Sequence, residues 1–120
     1  MITHDYMGQI LLDTVAQTFG SLPMPAQAIP VFADTDPDEC VRFCETQANA
    51  LDQGDGLIIF TDICGATPDN IARHLSSDTR LVISGLSLPM LFRVFNNPSL
   101  SLEALSQKAI SGGHDGIVCE

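Results

Sequence analysis

Apolar positions along the chain change their period repeatedly, and each change marks a new element. Met7, Leu11, Val15 and Phe19 recur every fourth residue, the spacing of a helical stripe, and Gly20 stands where a helix closes in a left-handed turn. "SLPMPAQ" reads as a loop, and "AIPVFA" (28–33) as a short strand. Pro30 has no N–H to give to a ladder, so that strand belongs at a sheet edge. Asp36 is a cap, Pro37 occupies the first helical position and Glu39 completes a capping box. Val41, Cys44, Ala48 and Leu51 then form one apolar face. "DQGDG" ends that helix and feeds an apolar run at 56–61, after which Pro68 opens another helix. "RLVISGL" (80–86) is a second uninterrupted run, and such runs fit strands covered on both faces. Pro89 begins a short helix, "PMLFRVF", stopped by "NNP". Leu102, Leu105 and Ala109 mark a further helix, ended by Gly112 and Gly113, and "GIVC" (116–119) reads as a last short strand. Strands and helices in alternation predict an α/β fold with a mainly parallel sheet.

Composition narrows the class. At 120 residues the chain is long enough for one domain with a genuine core, and 45% of it is apolar. The formal net charge is -10, and the five cations (Arg42, Arg73, Arg80, Arg93, Lys108) are scattered. A nucleic-acid surface needs clustered cations to displace counterions, so that class is disfavoured, as is an anionic membrane surface. A strongly acidic rim suits a basic protein partner instead. No apolar stretch approaches the roughly 20 residues that span a bilayer, so no membrane insertion is expected. "MITHDYMGQ" lacks the regions of a signal peptide, which makes the cytoplasm the expected location. Free thiols fit that location. Cys40 and Cys44 stand at i, i+4, but no further ligand lies near enough in sequence to complete a metal site, so they read as core and no metal or other cofactor is expected.

In open parallel sheets, ligands bind where strands end and crossovers diverge. Three such places stand out: "THD" (3–5), "TDICGATP" (61–68) and "SGLSLPM" (84–90). The second puts the backbone N–H groups of Gly65, Ala66 and Thr67 at a helix N-terminus, a cradle for an anion such as phosphate. It is not a nucleotide P-loop, because no Gly-Lys-Ser/Thr follows. A thiol-phosphatase loop would carry an Arg six positions after its Cys, where this chain has Asn70. With no cation in view to activate it, Cys64 reads as a lining residue. His4 is the better nucleophile. It follows a first strand that belongs beside the third, and Asp62 at the tip of the third strand would fix its tautomer. The alternatives are a solvated His4 and an Asp62 that only closes a turn. His74 reads as a solvated helix residue and His114 as a turn residue.

"THD" followed by an amphipathic helix, "TDICGATPDN", "GLSLPML" and the closing "AISGGHDGI" together resemble the enzyme IIA domain of the mannose/fructose/sorbose branch of the bacterial phosphotransferase system. The resemblance runs nearly end to end. It implies a doubly wound, four-stranded parallel sheet of order 2-1-3-4, with helices on both faces and a C-terminal strand, "GIVC", exchanged between subunits of a homodimer. It implies that His4 accepts phosphate from the phosphocarrier protein HPr and passes it to a IIB component in sugar uptake. Asp62 would orient it, and Gly65, Ala66 and Thr67 match the phosphate-contacting turn. Asp5 replaces the usual Gly, Ala66 the second Gly, and Ser87 the usual Asn before "LPML". Family members carry several apolar residues ahead of the T-H motif, so the first strand is expected to be truncated within the single domain 1–120. A regulatory sensor using the same site, a dihydroxyacetone kinase phosphocarrier subunit and a Cys64-based enzyme are the alternatives.

Overall fold

The computed structural model describes residues 1–120. Strands β1 (Ile2–His4), β2 (Ile29–Val31), β3 (Leu57–Thr61) and β4 (Arg80–Ser84) alternate with helices α1 (Met7–Phe19), α2 (Pro37–Leu51), α3 (Thr67–His74) and α4 (Leu88–Phe95), and α5 (Leu102–Asp115) closes the chain. The sheet is parallel throughout, in the order β2-β1-β3-β4. Pro30 does lie on an edge strand. Successive strand residues point to opposite faces, so Ile59 packs with α2 and α3 (Cys44, Ala48, Ile71, Ala72) while Phe60 packs with α1, α4 and α5 (Val15, Leu91, Val94, Ala109). Two cores, one on each face, make the fold doubly wound.

Capping explains where the helices begin. Asp36 accepts from the N–H groups of Asp38 and Glu39, at 2.9 and 3.4 Å, and Pro37 follows it. Only half of the expected capping box forms, because no side-chain bond returns from Glu39. The stripe on α1 is rotated from the one read off the sequence. Gly8, Leu12 and Val15 are buried, whereas Met7 is 46% exposed. A strict four-residue repeat drifts around a helix of 3.6 residues per turn, so its first member leaves the core-facing side.

The end of the chain differs from expectation. α5 runs through Gly112 and Gly113 to Asp115, and His114 is an exposed helix residue rather than part of a turn. A Cβ at Gly112 would meet Arg93 Cβ at 2.9 Å and Pro89 O at 3.2 Å. The glycine therefore serves close packing of α5 on α4 instead of ending the helix. Gly116 is the cap, and residues 117–120 have no regular structure, so "GIVC" forms no strand within the chain. Ile117 and Val118 remain exposed.

β1 is short yet central. Its three residues all pair with β2, but only Ile2 pairs with β3, opposite Thr61. Leu57, Ile58 and Ile59 of β3 therefore have no strand partner on the β1 side. A cavity of about 780 Å³ opens there, lined by Met1, Ile58, Phe60, Val94 and Leu105 among others. A smaller one on the opposite face shares Met1, Gln27, Leu51, Leu57 and Ile58 with it. The gap thus runs through the sheet, at the end opposite His4. The Met1 ammonium donates to Gln27 O at 2.7 Å.

Candidate functional site

His4 is the last residue of β1, and Asp62 follows the last residue of β3. Because β1 and β3 are neighbours, the two meet although 58 positions separate them in sequence. His4 Nδ1 lies 2.8 Å from Asp62 Oδ2, and the His4 backbone N–H donates to the same oxygen at 3.0 Å. The other oxygen accepts from Ile63 N at 3.1 Å. One carboxylate thus fixes both the ring and the backbone of the histidine. Burial pushes the Asp62 carboxyl up, but the His4 ring and backbone hydrogen bonds outweigh it and hold the carboxyl below its usual range. The His4 side chain is 46% exposed and that of Asp62 4%. A carboxylate only accepts, so the contact favours the tautomer with the proton on Nδ1, and no group of the chain hydrogen-bonds Nε2.

Asp5 adopts φ 49°, the one non-glycine residue with positive φ, and donates its N–H to Val31 O at 3.0 Å. The turn out of β1 demands left-handed backbone, which glycine takes without cost and Asp tolerates. Thr3, buried, accepts from Gly8 N at 3.0 Å and ties that turn to α1, a role the sequence pattern did not indicate.

In the turn between β3 and α3, two of the three N–H groups expected to face an anion, those of Gly65 and Ala66, are engaged within the chain. Gly65, at φ 83°, donates its N–H to Asp69 at 2.9 Å, and Ala66 donates to Ile63 O at 3.3 Å. Cys64 and Thr67 donate their N–H groups to no acceptor in the chain, and both residues are exposed. Ser87 caps α4, accepting from Met90 N at 3.4 Å.

Sequence spacing showed no cation near Cys64, and the structure supplies one. Arg73 Nη2 lies 3.6 Å from its Sγ, because the Arg73 side chain extends past Asp69 toward the start of its own helix. Cys40 and Cys44 are buried with their sulfurs 3.9 Å apart. Burial pushes the Cys44 thiol up to about 12, which makes it an inert core residue, and Cys40 packs beside it in the same core. His74 is exposed on α3. Just beyond the strand ends, Tyr6, Phe32 and Ile63 are exposed, as is Ile10 in α1, and Tyr6 lies edge-on to Phe32 at 5.3 Å between ring centroids.

The open parallel sheet of order 2-1-3-4 is the fold of solved phosphotransferase-system IIA proteins, and in this chain it pairs a histidine and a carboxylate across its central strands. The family model described as "PTS system fructose IIA component" matches residues 1–110, and the chain belongs to that family. YadI of Escherichia coli K12, which carries the name of a phosphotransferase enzyme IIA component, is 32% identical over 90 residues, 73% of this chain. The match covers 61% of the length of that relative. Among solved structures, the mannose/sorbose specific IIA subunit from Enterococcus faecalis superposes with a TM-score of 0.86 at 18% identity, covering 98% of this chain and 89% of that one. The phosphotransferase system component EIIA from Streptococcus agalactiae gives 0.81 at 22% identity, covering 98% and 92%. At that identity these likenesses concern the fold. No helix is long and apolar enough to cross a membrane.

Proposed function

We propose that the chain is a cytoplasmic phosphoryl carrier that accepts phosphate from HPr on His4 and delivers it to a IIB component. The observation that carries this reading is the His4–Asp62 pair, with Nδ1 bound at 2.8 Å and Nε2 left open. In the transfer, the Nε2 lone pair attacks phosphorus while the P–N bond to the donor's histidine breaks. The proton stays on Nδ1, and Asp62 stabilises the positive ring that results. Thr67 and Cys64 N–H groups receive the phosphoryl oxygens. The exposed Tyr6, two residues after His4, and Ile63, next to Asp62, offer an apolar docking rim beside the nucleophile, which is where a protein donor and acceptor must each seat. The exposed tail at Ile117 and Val118 supports a homodimer in which it pairs as a strand on a second copy.

Thiol chemistry is the second reading, favoured by the Arg73–Cys64 contact of 3.6 Å. One experiment separates the two. Intact mass is measured after incubation with phosphoenolpyruvate, enzyme I and HPr, for the wild type and His4→Ala, before and after acid. An acid-labile adduct of one phosphate, absent from the variant, is expected. A folded His4→Ala protein that still takes up phosphate would move the chemistry to Cys64.

A further inference from the structure

Directly beneath the turn that faces His4 lies a carboxylate that the transfer step does not use. Asp69 has 0% exposure. Its Oδ1 accepts from Thr61 Oγ1 at 2.8 Å and from Ser84 Oγ at 2.6 Å. Its Oδ2 accepts from Gly65 N at 2.9 Å and from Arg73 Nε at 2.9 Å. A carboxylate has about four lone-pair sites. All are occupied, so Asp69 has none left for a ligand or a proton. Burial alone would push this carboxyl up, yet the hydrogen bonds from Ser84, Gly65, Arg73 and Thr61 outweigh it and hold it far below the usual range.

The four donors come from four places: the tip of β3 one residue before Asp62, the tip of β4, the phosphate turn and α3. A single buried group therefore sets the position of Asp62 relative to the turn. It also brings a difficulty. A phosphoryl group entering the turn is strongly negative and would meet a buried negative charge at close range, where repulsion is poorly screened. Arg73 is the group that answers it. Its side chain is 58% exposed, it lies against Asp69, and it reaches over the turn to Cys64 Sγ.

We propose that Asp69 and Arg73 form a positioning pair, in which Asp69 holds the His4-facing turn in shape and Arg73 cancels its charge so that a phosphoryl anion can enter. This rests on the phosphoryl-carrier reading and adds to it two residues that touch neither His4 nor Asp62.

The test compares wild type, Asp69→Asn, Arg73→Gln and the double variant. The first readout needs no phosphate: amide hydrogen exchange at Gly65, set against a core amide such as that of Leu91. Asn keeps the volume but turns an N–H donor toward groups that already donate, so Gly65 should exchange at least about tenfold faster while Leu91 is unchanged. The second readout is single-turnover uptake from phospho-HPr over a range of donor concentrations, which gives the limiting rate (here kcat) and the half-saturating donor concentration (here KM) separately. Asp69→Asn should lower kcat about tenfold or more and leave KM within about twofold, because docking is untouched. Arg73→Gln should cost about tenfold in the wild-type background and under about twofold on Asp69→Asn, since its task disappears with the charge it cancels. An equal cost in both backgrounds would mean that Arg73 acts on the phosphoryl group directly and would overturn the pairing. Unchanged Gly65 exchange and kcat in Asp69→Asn would overturn the positioning role. Should Asp69→Asn not fold, the exposed Arg73 carries the test alone. Arg73→Gln must slow kcat, Arg73→Lys must restore at least half of the loss, and a fully active Arg73→Gln refutes the pair. A wild type that takes up no phosphate removes the carrier reading, and Gly65 exchange alone then decides whether Asp69 builds the turn.

Discussion

At the scale of single residues, the site depends on one carboxylate oxygen that holds two atoms of His4. Asp62→Asn keeps the shape but presents an amide that cannot stabilise a positive imidazole, and it permits the wrong tautomer. Phosphoryl transfer should fall by roughly 10²- to 10⁴-fold with the fold intact by circular dichroism. Unchanged stopped-flow kinetics would reduce Asp62 to a turn residue. Asp5 poses a different question. Read as a charge, it bears on the chemistry, but its φ of 49° shows that the position is first a conformational one. Asp5→Gly should therefore stabilise the chain by about 0.5–1 kcal/mol through relief of left-handed strain, read as a higher urea midpoint. A destabilised variant would show that glycine's extra freedom in the unfolded chain outweighs that strain. Asp62 was legible in the sequence as a strand tip, because it follows the apolar run of β3, whereas only Met1 and Ile2 precede Thr3 and His4, and the resemblance carried by "THD" is what singled His4 out. Asp69 and Arg73 were legible in neither way: an acidic residue in the first turn of a helix and a basic one in its last look like ordinary dipole partners.

At the scale of elements, the three-residue β1 is the weakest part of the sheet. Ile2 stands opposite Thr61, so Met1 falls opposite Phe60, and the positions opposite Leu57–Ile59 are the open gap. Burial lowers the pKa of the Met1 amine to about 6. The ordinary value is about 8, so between those two pH values the unfolded chain binds more protons than the folded one. Stability should accordingly rise as pH increases from 6 to 8, by up to about 2–3 kcal/mol, and be lowest below 6. Three added apolar residues ahead of Met1, as in Val-Ile-Val, would replace the buried amine by a peptide group and fill the gap. That variant should melt at a higher temperature and lose the pH 6–8 dependence. An equal melting temperature and an unaltered pH profile would show that the gap does not accept a strand. α5 is the opposite case, an element longer than the sequence predicted. Two glycines looked like a stop, yet contact with Pro89 and Arg93 on α4 made the absence of a Cβ useful inside the helix.

For the whole molecule, both open edges of the proposed function lie at the same end of the sheet or on its tail. The strand ends collect His4, Asp62 and the free Cys64 and Thr67 N–H groups, while 117–120 lie apart as an exposed segment in no strand. If that segment is a strand exchanged between copies, deletion of 117–120 should leave a folded monomer where the intact chain is a dimer. Light scattering at matched concentration decides it, and a dimer that survives the deletion would place the interface elsewhere.

The order of the strands and helices up to α5, the two-faced burial of the β3 and β4 runs, the edge position of Pro30 and the place of Asp62 at a strand tip follow from local pattern. Periodicity and caps are written in neighbouring residues, and a continuous apolar run has few structures open to it. Tertiary structure decided the rest. Which N–H groups the turn retains, which carboxylate lies beneath it, which cation reaches Cys64 and how far α5 continues all depend on groups from different elements meeting at 2.6–3.6 Å. Spacing along the chain carries no information about such distances. They arise only when the sheet closes and two cores are packed against it, which is also why the final four residues, with no neighbour in the chain to pair with, form no strand.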